Sequence, residues 1–238
     1  MTFVVVGHKR TGTTYLMNYV NEKAQFKEVK FTTEFFLGRN YLGNEAVWIN
    51  DWIKDYNLNK YSKKQIERKF NYFEILKEEG RLHPFKVLPF ALIEQGYEKR
   101  LHQLLDGIKI LTIDRDPFDS FLSYMYQRKT NWANSHRFIN RKQNIEEVTF
   151  NVDTSDIESY LKIYKVEKDF ISSLNIFHRF EYEELTPENM KNFFGIKNKK
   201  DIYVPMNINY RQLITNINFV ENEFKELYIK YVVYNRKL

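Results

Sequence analysis

At 238 residues and a formal net charge of +6, from 37 lysines and arginines against 31 aspartates and glutamates, the chain is long enough for one sizeable core and suits a polyanionic partner. A lysine-rich solvated surface accounts for the same charge equally well. With no cysteine there are no disulfides and no thiolate metal sites, and no run nears the roughly 18 apolar residues of a membrane span. Phe3 to Val6 is too short an apolar run for a signal peptide and leads straight into a loop, so a cytoplasmic protein is expected. The 17 tyrosines, 20 phenylalanines and 3 tryptophans point to an aromatic core more than to a stacking platform.

In chain order, Thr2 to Val6 predicts a buried strand, and apolar positions at Tyr15, Leu16, Tyr19 and Val20 predict a helix from Gly12 to about Lys23. Between them lies the basic, hydroxyl-rich loop Gly7-His8-Lys9-Arg10-Thr11-Gly12-Thr13-Thr14. Unpaired amides and the positive end of the helix dipole converge at such a turn, so it is built to hold phosphate or sulfate. A second strand fits Lys27 to Thr33, followed by helices over Glu45 to Tyr56 and Ser62 to Glu79, the latter opened by a Ser62 cap. A third strand fits Leu82 to Leu88, broken by Pro84 and Pro89, and a helix runs from Ala91 to Leu105. The strand Ile108 to Ile113 then meets a charged turn and a helix opened by Pro117.

A polar stretch over about 131–153 shows no clear period. Beyond it come a helix Ile157 to Ser172, a strand Asn175 to Phe180, a helix Pro187 to Phe194 and an amphipathic helix Val220 to Tyr231. Strands alternating with helices imply a three-layer α/β fold, a mainly parallel sheet flanked by helices in the manner of P-loop NTPases. One domain over 1–238 is expected, with a helical portion at about 45–80 and the polar loop segment.

The Gly7 to Gly12 spacing is that of G-x-x-x-x-G-K-[ST], but Thr13 stands where the lysine that reaches the β/γ-phosphates belongs. That weighs against a nucleotide kinase or NTPase, which stays the alternative, with Ile110 to Asp114 as its magnesium-binding strand. The segment Arg115-Asp116-Pro117-Phe118-Asp119, with Ser123 eight residues beyond Arg115, places a guanidinium at a strand end and a hydroxyl two turns into a helix. Both can face one phosphate, and Asp116 and Asp119 suit capping of that helix.

Together these segments resemble the sulfotransferases that use 3′-phosphoadenosine 5′-phosphosulfate (PAPS). Arg10-Thr11-Gly12-Thr13-Thr14 is similar to that family's [KR]-[ST]-G-[ST]-T loop, which grips the 5′-phosphosulfate. Arg115 to Asp119 with Ser123 is similar to its R-[ND]-P-x-D-x-x-x-S segment for the 3′-phosphate. Phe180-Glu181-Tyr182-Glu183-Glu184-Leu185, then Phe193-Phe194-Gly195, resembles the YEDL and F-L-G region near the adenine. The three occur in the family's order.

The resemblance implies PAPS as co-substrate, bound without metal by Lys9, Arg10, Thr11, Gly12, Thr13, Thr14, Arg115, Ser123 and Tyr182, with Arg10 as the cation facing the leaving oxygen. Glu34, just past the second strand, matches the glutamate that several members use as the base, and His83 is the competing base. Lys86 resembles a lysine aimed at the transferring sulfonate. The family's C-terminal R-K-G-x-x-G clamp is missing; Arg211, or Arg141 and Lys142, are the candidates to replace it. The implied acceptor is a hydroxyl or amine of a small molecule or glycan, with the glutamate favouring a carbohydrate or glycolipid. A non-catalytic module for sulfated or phosphorylated glycans is the rival of another class. Neither nucleic acid nor a membrane span is implied as a partner.

Overall fold

Four short apolar runs pair into one parallel sheet. The computed structural model describes residues 2–23, 63–82, 84–130, 149–196 and 208–234. Strands β1 (Phe3–Val6), β2 (Phe85–Val87), β3 (Lys109–Asp114) and β4 (Ile176–Glu181) stand in the order β2-β1-β3-β4. Val4, Val5 and Val6 pair with Phe85, Lys86 and Val87, while Phe3, Val4 and Val5 pair with Lys109, Ile110 and Leu111. The β3–β4 ladder carries a register shift between Ile110 and Leu111.

Around the sheet lie α1 (Thr13–Lys23), α2 (Lys63–Glu78), α3 (Phe90–Ile93), α4 (Glu98–Leu105), α5 (Pro117–Thr130), α6 (Thr154–Ser172), α7 (Pro187–Phe194) and α8 (Ile217–Tyr228). A continuous β-branched run such as β1 belongs in a sheet covered on both faces, and all four of its residues are buried. Val4 and Val6 pack with Phe70, Phe73, Leu101 and Phe170 from α2, α4 and α6. Phe3 and Val5 pack oppositely, with Leu16, Tyr19, Met190 and Phe194 from α1 and α7. A third core joins α5, α6 and α8, where Phe121 lies 5.3 Å from Tyr160 and 5.2 Å from Phe224, ring to ring. This is the three-layer α/β architecture that the strand–helix alternation predicts.

Several boundaries move. The helix expected over Ala91 to Leu105 is two, because Gly96 takes φ +84 and closes α3, with the Tyr97 amide bonded back to the Leu92 carbonyl. Tyr97 then opens α4 and stacks on Phe70 at 5.5 Å. Helix α6 starts at Thr154 rather than Ile157, since Asp153 and Asp156 form a reciprocal capping box. Strand β2 is confined to Phe85–Val87 between Pro84 and Pro89, and α8 runs Ile217–Tyr228, ahead of a π turn at Ile229–Val233. The strand at 27–33, the helix at 45–56, Ser62, Glu34, His83, Arg141, Lys142 and most of the polar stretch lie outside the described residues. No helix among the described residues is long and apolar enough to cross a membrane.

Because every pairing is parallel, the segments after β1, β2, β3 and β4 all leave from the same end of the sheet. The consecutive strands β2 and β3 flank β1 on opposite sides. That is the switch point at which open α/β sheets bind ligands, beyond the strands' carboxyl ends.

On α2, burial pulls the Lys69 ammonium down to about 8. A base lowered on folding is least favourable where it is charged, so the unfolded chain binds the extra proton between about pH 8 and 10.5 and stability rises with pH there. Lys69→Met is expected to remove this rise, which is on the order of 3 kcal/mol. Urea denaturation of both proteins across that window checks it, and parallel stability curves would contradict it.

Candidate functional site

The loop after β1 is shaped by its glycines. The Gly7 amide still reaches the Val87 carbonyl of β2 at 3.3 Å, and a Cβ on Gly7 would stand 2.5 Å from Thr13 Cγ2. Gly12 has φ +84, and a Cβ there would meet Leu185 Cδ1 at 2.7 Å and Tyr182 Cε2 at 3.2 Å. Helix α1 begins directly afterwards, with the Leu16 amide on the Gly12 carbonyl. The first-turn amides of α1 thus have no intrahelical acceptor and face the loop's end of the helix dipole. Thr11 is buried and its hydroxyl donates to the His8 carbonyl at 2.9 Å, bracing the loop from within. Thr13 is buried, and the Thr14 hydroxyl accepts from Lys86 Nζ at 3.2 Å. Lys86 therefore crosses from β2 to the mouth of α1.

Arg10 is the only non-glycine among the described residues with positive φ, at +68. Left-handed backbone costs a residue with a Cβ roughly 1–2 kcal/mol and persists only where its surroundings hold it. Here the Arg10 carbonyl accepts from Arg115 Nη1 at 2.6 Å, and Arg10 Nε donates to Ser123 Oγ at 3.1 Å. The corner after β1 and the corner after β3 are thereby tied together. Ser123 Oγ also donates to the Tyr210 hydroxyl at 3.3 Å, and the Arg115 guanidinium lies 4.1 Å from the Tyr182 ring centre. Asp116 Oδ1 accepts from the Asp119 amide and caps α5. Lys9 Nζ stands 5.8 Å over the Tyr124 ring.

Burial holds the Arg10 guanidinium below its usual range, Tyr210 opposes that shift, and the like charge of Arg115 adds to it. The guanidinium remains charged all the same. An anion between the two arginines would relieve both the desolvation and the repulsion. Tyr210, from the single-turn helix Tyr210–Leu213, is a site residue that sequence reasoning passes over in favour of its neighbour Arg211. Arg211 itself pairs with Glu221 and lies 5.2 Å from the Phe118 ring. Toward α6, a cleft of about 310 Å³ is lined by His8, Asp114, Arg115, Lys168 and Arg179 among others. Both carboxylate oxygens of Asp114 there accept from Arg179 Nη1, at 2.8 and 3.0 Å.

Of the residues singled out in the sequence, the loop from Lys9 to Thr14, Lys86, Arg115, Ser123 and Tyr182 come together at one end of the sheet. Arg211 stands beside Tyr210 with its charge turned to Glu221. No protein-family model and no curated relative matches the chain. Among solved structures it is similar to the "Sulfotransferase Domain from the Curacin Biosynthetic Pathway", at 15% identity and TM-score 0.44, over 92% of this chain and 85% of that one. It is also similar to a sulfotransferase from Alicyclobacillus acidocaldarius, at 15% identity and TM-score 0.39, over 99% of this chain and 96% of that one. At that level of likeness the architecture stands on its own parallel sheet, and the chemistry of the site on its side chains.

Gly12→Ala is expected to lower stability by about 2 kcal/mol, through the left-handed backbone and the contact with Leu185. Gly80→Ala, with a similar φ of +67 and open space around it, isolates the backbone part and should cost less. Denaturation midpoints of the two variants measure the difference, and equal losses would show that the loop is not packed against Leu185.

Proposed function

We propose that this chain is a sulfotransferase that moves a sulfuryl group from PAPS to a hydroxyl or amine of an acceptor. The observation that carries the proposal is the joined pair of corners, Arg10 to Ser123 and Arg115 to the Arg10 carbonyl. A ligand with phosphate at both ends of one ribose suits two adjacent cationic corners better than a linear triphosphate does. The chemistry of the donor set fits it: backbone amides at a helix N-terminus, two guanidiniums, an ammonium and hydroxyls, with glycines where a Cβ would intrude. Thr13 in place of the P-loop lysine points the same way.

PAPS supplies a sulfonate on a good leaving group. When the bond from sulfur to the bridging oxygen breaks, charge grows on that oxygen, and Arg10 is the cation assigned to it, with Lys86 directed at the sulfonate. Arg115, Ser123 and Tyr210 are assigned to the 3′-phosphate, and Tyr182 to the adenine, its ring already carrying the Arg115 guanidinium. The acceptor's proton leaves to Glu34 or His83 as its oxygen or nitrogen bonds to sulfur. A carbohydrate or glycolipid is the acceptor class proposed, on the placement of Glu34 just past the second predicted strand.

Adenosine 3′,5′-bisphosphate without metal is expected to raise the melting temperature by about 5–10 °C at a hundredfold excess over Kd. Arg10→Ala should leave the fold intact and lower transfer of labelled sulfonate to an acceptor panel by about 10²–10³-fold. No shift at saturating nucleotide, or a shift that requires magnesium and a triphosphate, would overturn the proposal.

A further inference from the structure

Glu167 is a carboxylate almost wholly buried on α6, at 1% exposure. Removing such a group from water costs several kcal/mol unless its partners compensate, and leucine would fill the same space without that cost. Among the described residues its partners are few. Glu167 Oε2 accepts from the Lys9 backbone amide at 3.3 Å and stands 3.5 Å from His8 Nδ1. Neither Glu167 Oε1 nor His8 Nδ1 meets a hydrogen-bond partner among the described residues.

One turn earlier on the same face of α6, the Tyr164 ring stacks on the His8 ring at 4.5 Å with 21° between planes. Two side chains of α6 therefore grip the loop where it leaves β1, one through a ring and one through the main chain. The next residue is the left-handed Arg10, whose carbonyl Arg115 holds from the other side. The strained residue is bracketed by two side-chain bonds to backbone atoms, at the Lys9 amide and at its own carbonyl.

From this geometry we infer that Glu167 is a positioning residue that sets the phosphate loop by holding the Lys9 amide. Glu167 touches no reacting atom in this role. It turns the chain so that Arg10 adopts its left-handed conformation and reaches Ser123. What matters is reach rather than charge, since a negative carboxylate behind an anion-binding loop opposes the ligand electrostatically. The inference rests on the sulfotransferase reading for its ligand, not for its geometry.

Two variants separate reach from charge: Glu167→Gln keeps a carbonyl oxygen at full length, and Glu167→Asp keeps the charge one methylene short. Hydrogen exchange of individual amides in the intact chain is the first readout, and affinity for adenosine 3′,5′-bisphosphate without metal is the second. In Glu167→Gln, exchange at Lys9 and affinity should stay within about threefold of the parent. In Glu167→Asp, the Lys9 and Arg10 amides should exchange about tenfold faster or more, with affinity about tenfold weaker, while β3 and α5 amides are unchanged. Equal losses in both variants, an unaltered Glu167→Asp, or faster exchange spread evenly over the whole core would overturn the inference. If the parent protein binds no bisphosphate, the sulfotransferase reading falls, and the exchange of Lys9 still decides the role of Glu167.

Discussion

The bond from the Arg115 guanidinium to the Arg10 carbonyl, 2.6 Å long, is the contact on which the site depends. It holds an arginine in a backbone conformation that residues with a Cβ avoid, and it sets two positive groups side by side under partial burial. Both features are unfavourable in isolation. Strain of 1–2 kcal/mol and repulsion between like charges are about the size of a single good interaction, so an anion that bridges the arginines can offset them. On the proposed function, the site is arranged for its ligand rather than for the stability of the empty protein.

The sheet makes that arrangement available. Parallel pairing brings the ends of β1, β2, β3 and β4 to one edge, so residues far apart in sequence meet without long loops. Val4 and Val6 on one face, and Phe3 and Val5 on the other, fix β1 in the middle of the core. The loop that follows therefore springs from a strand whose four residues are all buried. Lys86 comes from the strand on one side of β1 and Arg115 from the turn just past the strand on the other, while Ser123 comes from the helix after β3. A packed sheet of this sort fixes where the loop, Lys86 and Arg115 emerge, and so holds the cations in a set arrangement.

Much of this was legible in the sequence, because the decisive signals are local. A β-branched run, two glycines and a following apolar period define β1, the loop and α1, and the spacing from Arg115 to Ser123 already places both near one point. What was not legible depends on contacts between distant segments or on competing local signals. Gly96 breaks a helix whose apolar period continues across it through Leu92, Tyr97 and Leu101, so periodicity joins what backbone geometry divides. Asp153 takes the cap that Ser155 or Asp156 also suits, and only the reciprocal bond with Asp156 chooses between them. Tyr210 lies in a stretch without periodicity, and Arg211 beside it is the more obvious anion ligand by charge. Glu167 occupies the buried face of an amphipathic helix, where a carboxylate reads as a solvent-facing position until the loop it contacts is known.

A crystal structure of the protein with adenosine 3′,5′-bisphosphate, grown without divalent metal, tests the central claim most directly. The account predicts the 5′-phosphate on the amides of the Gly7–Thr14 loop and the 3′-phosphate between Arg115 and Ser123, with Arg10 still left-handed. Nucleotide bound away from these two corners, or a 3′-phosphate that touches neither Arg115 nor Ser123, would contradict it.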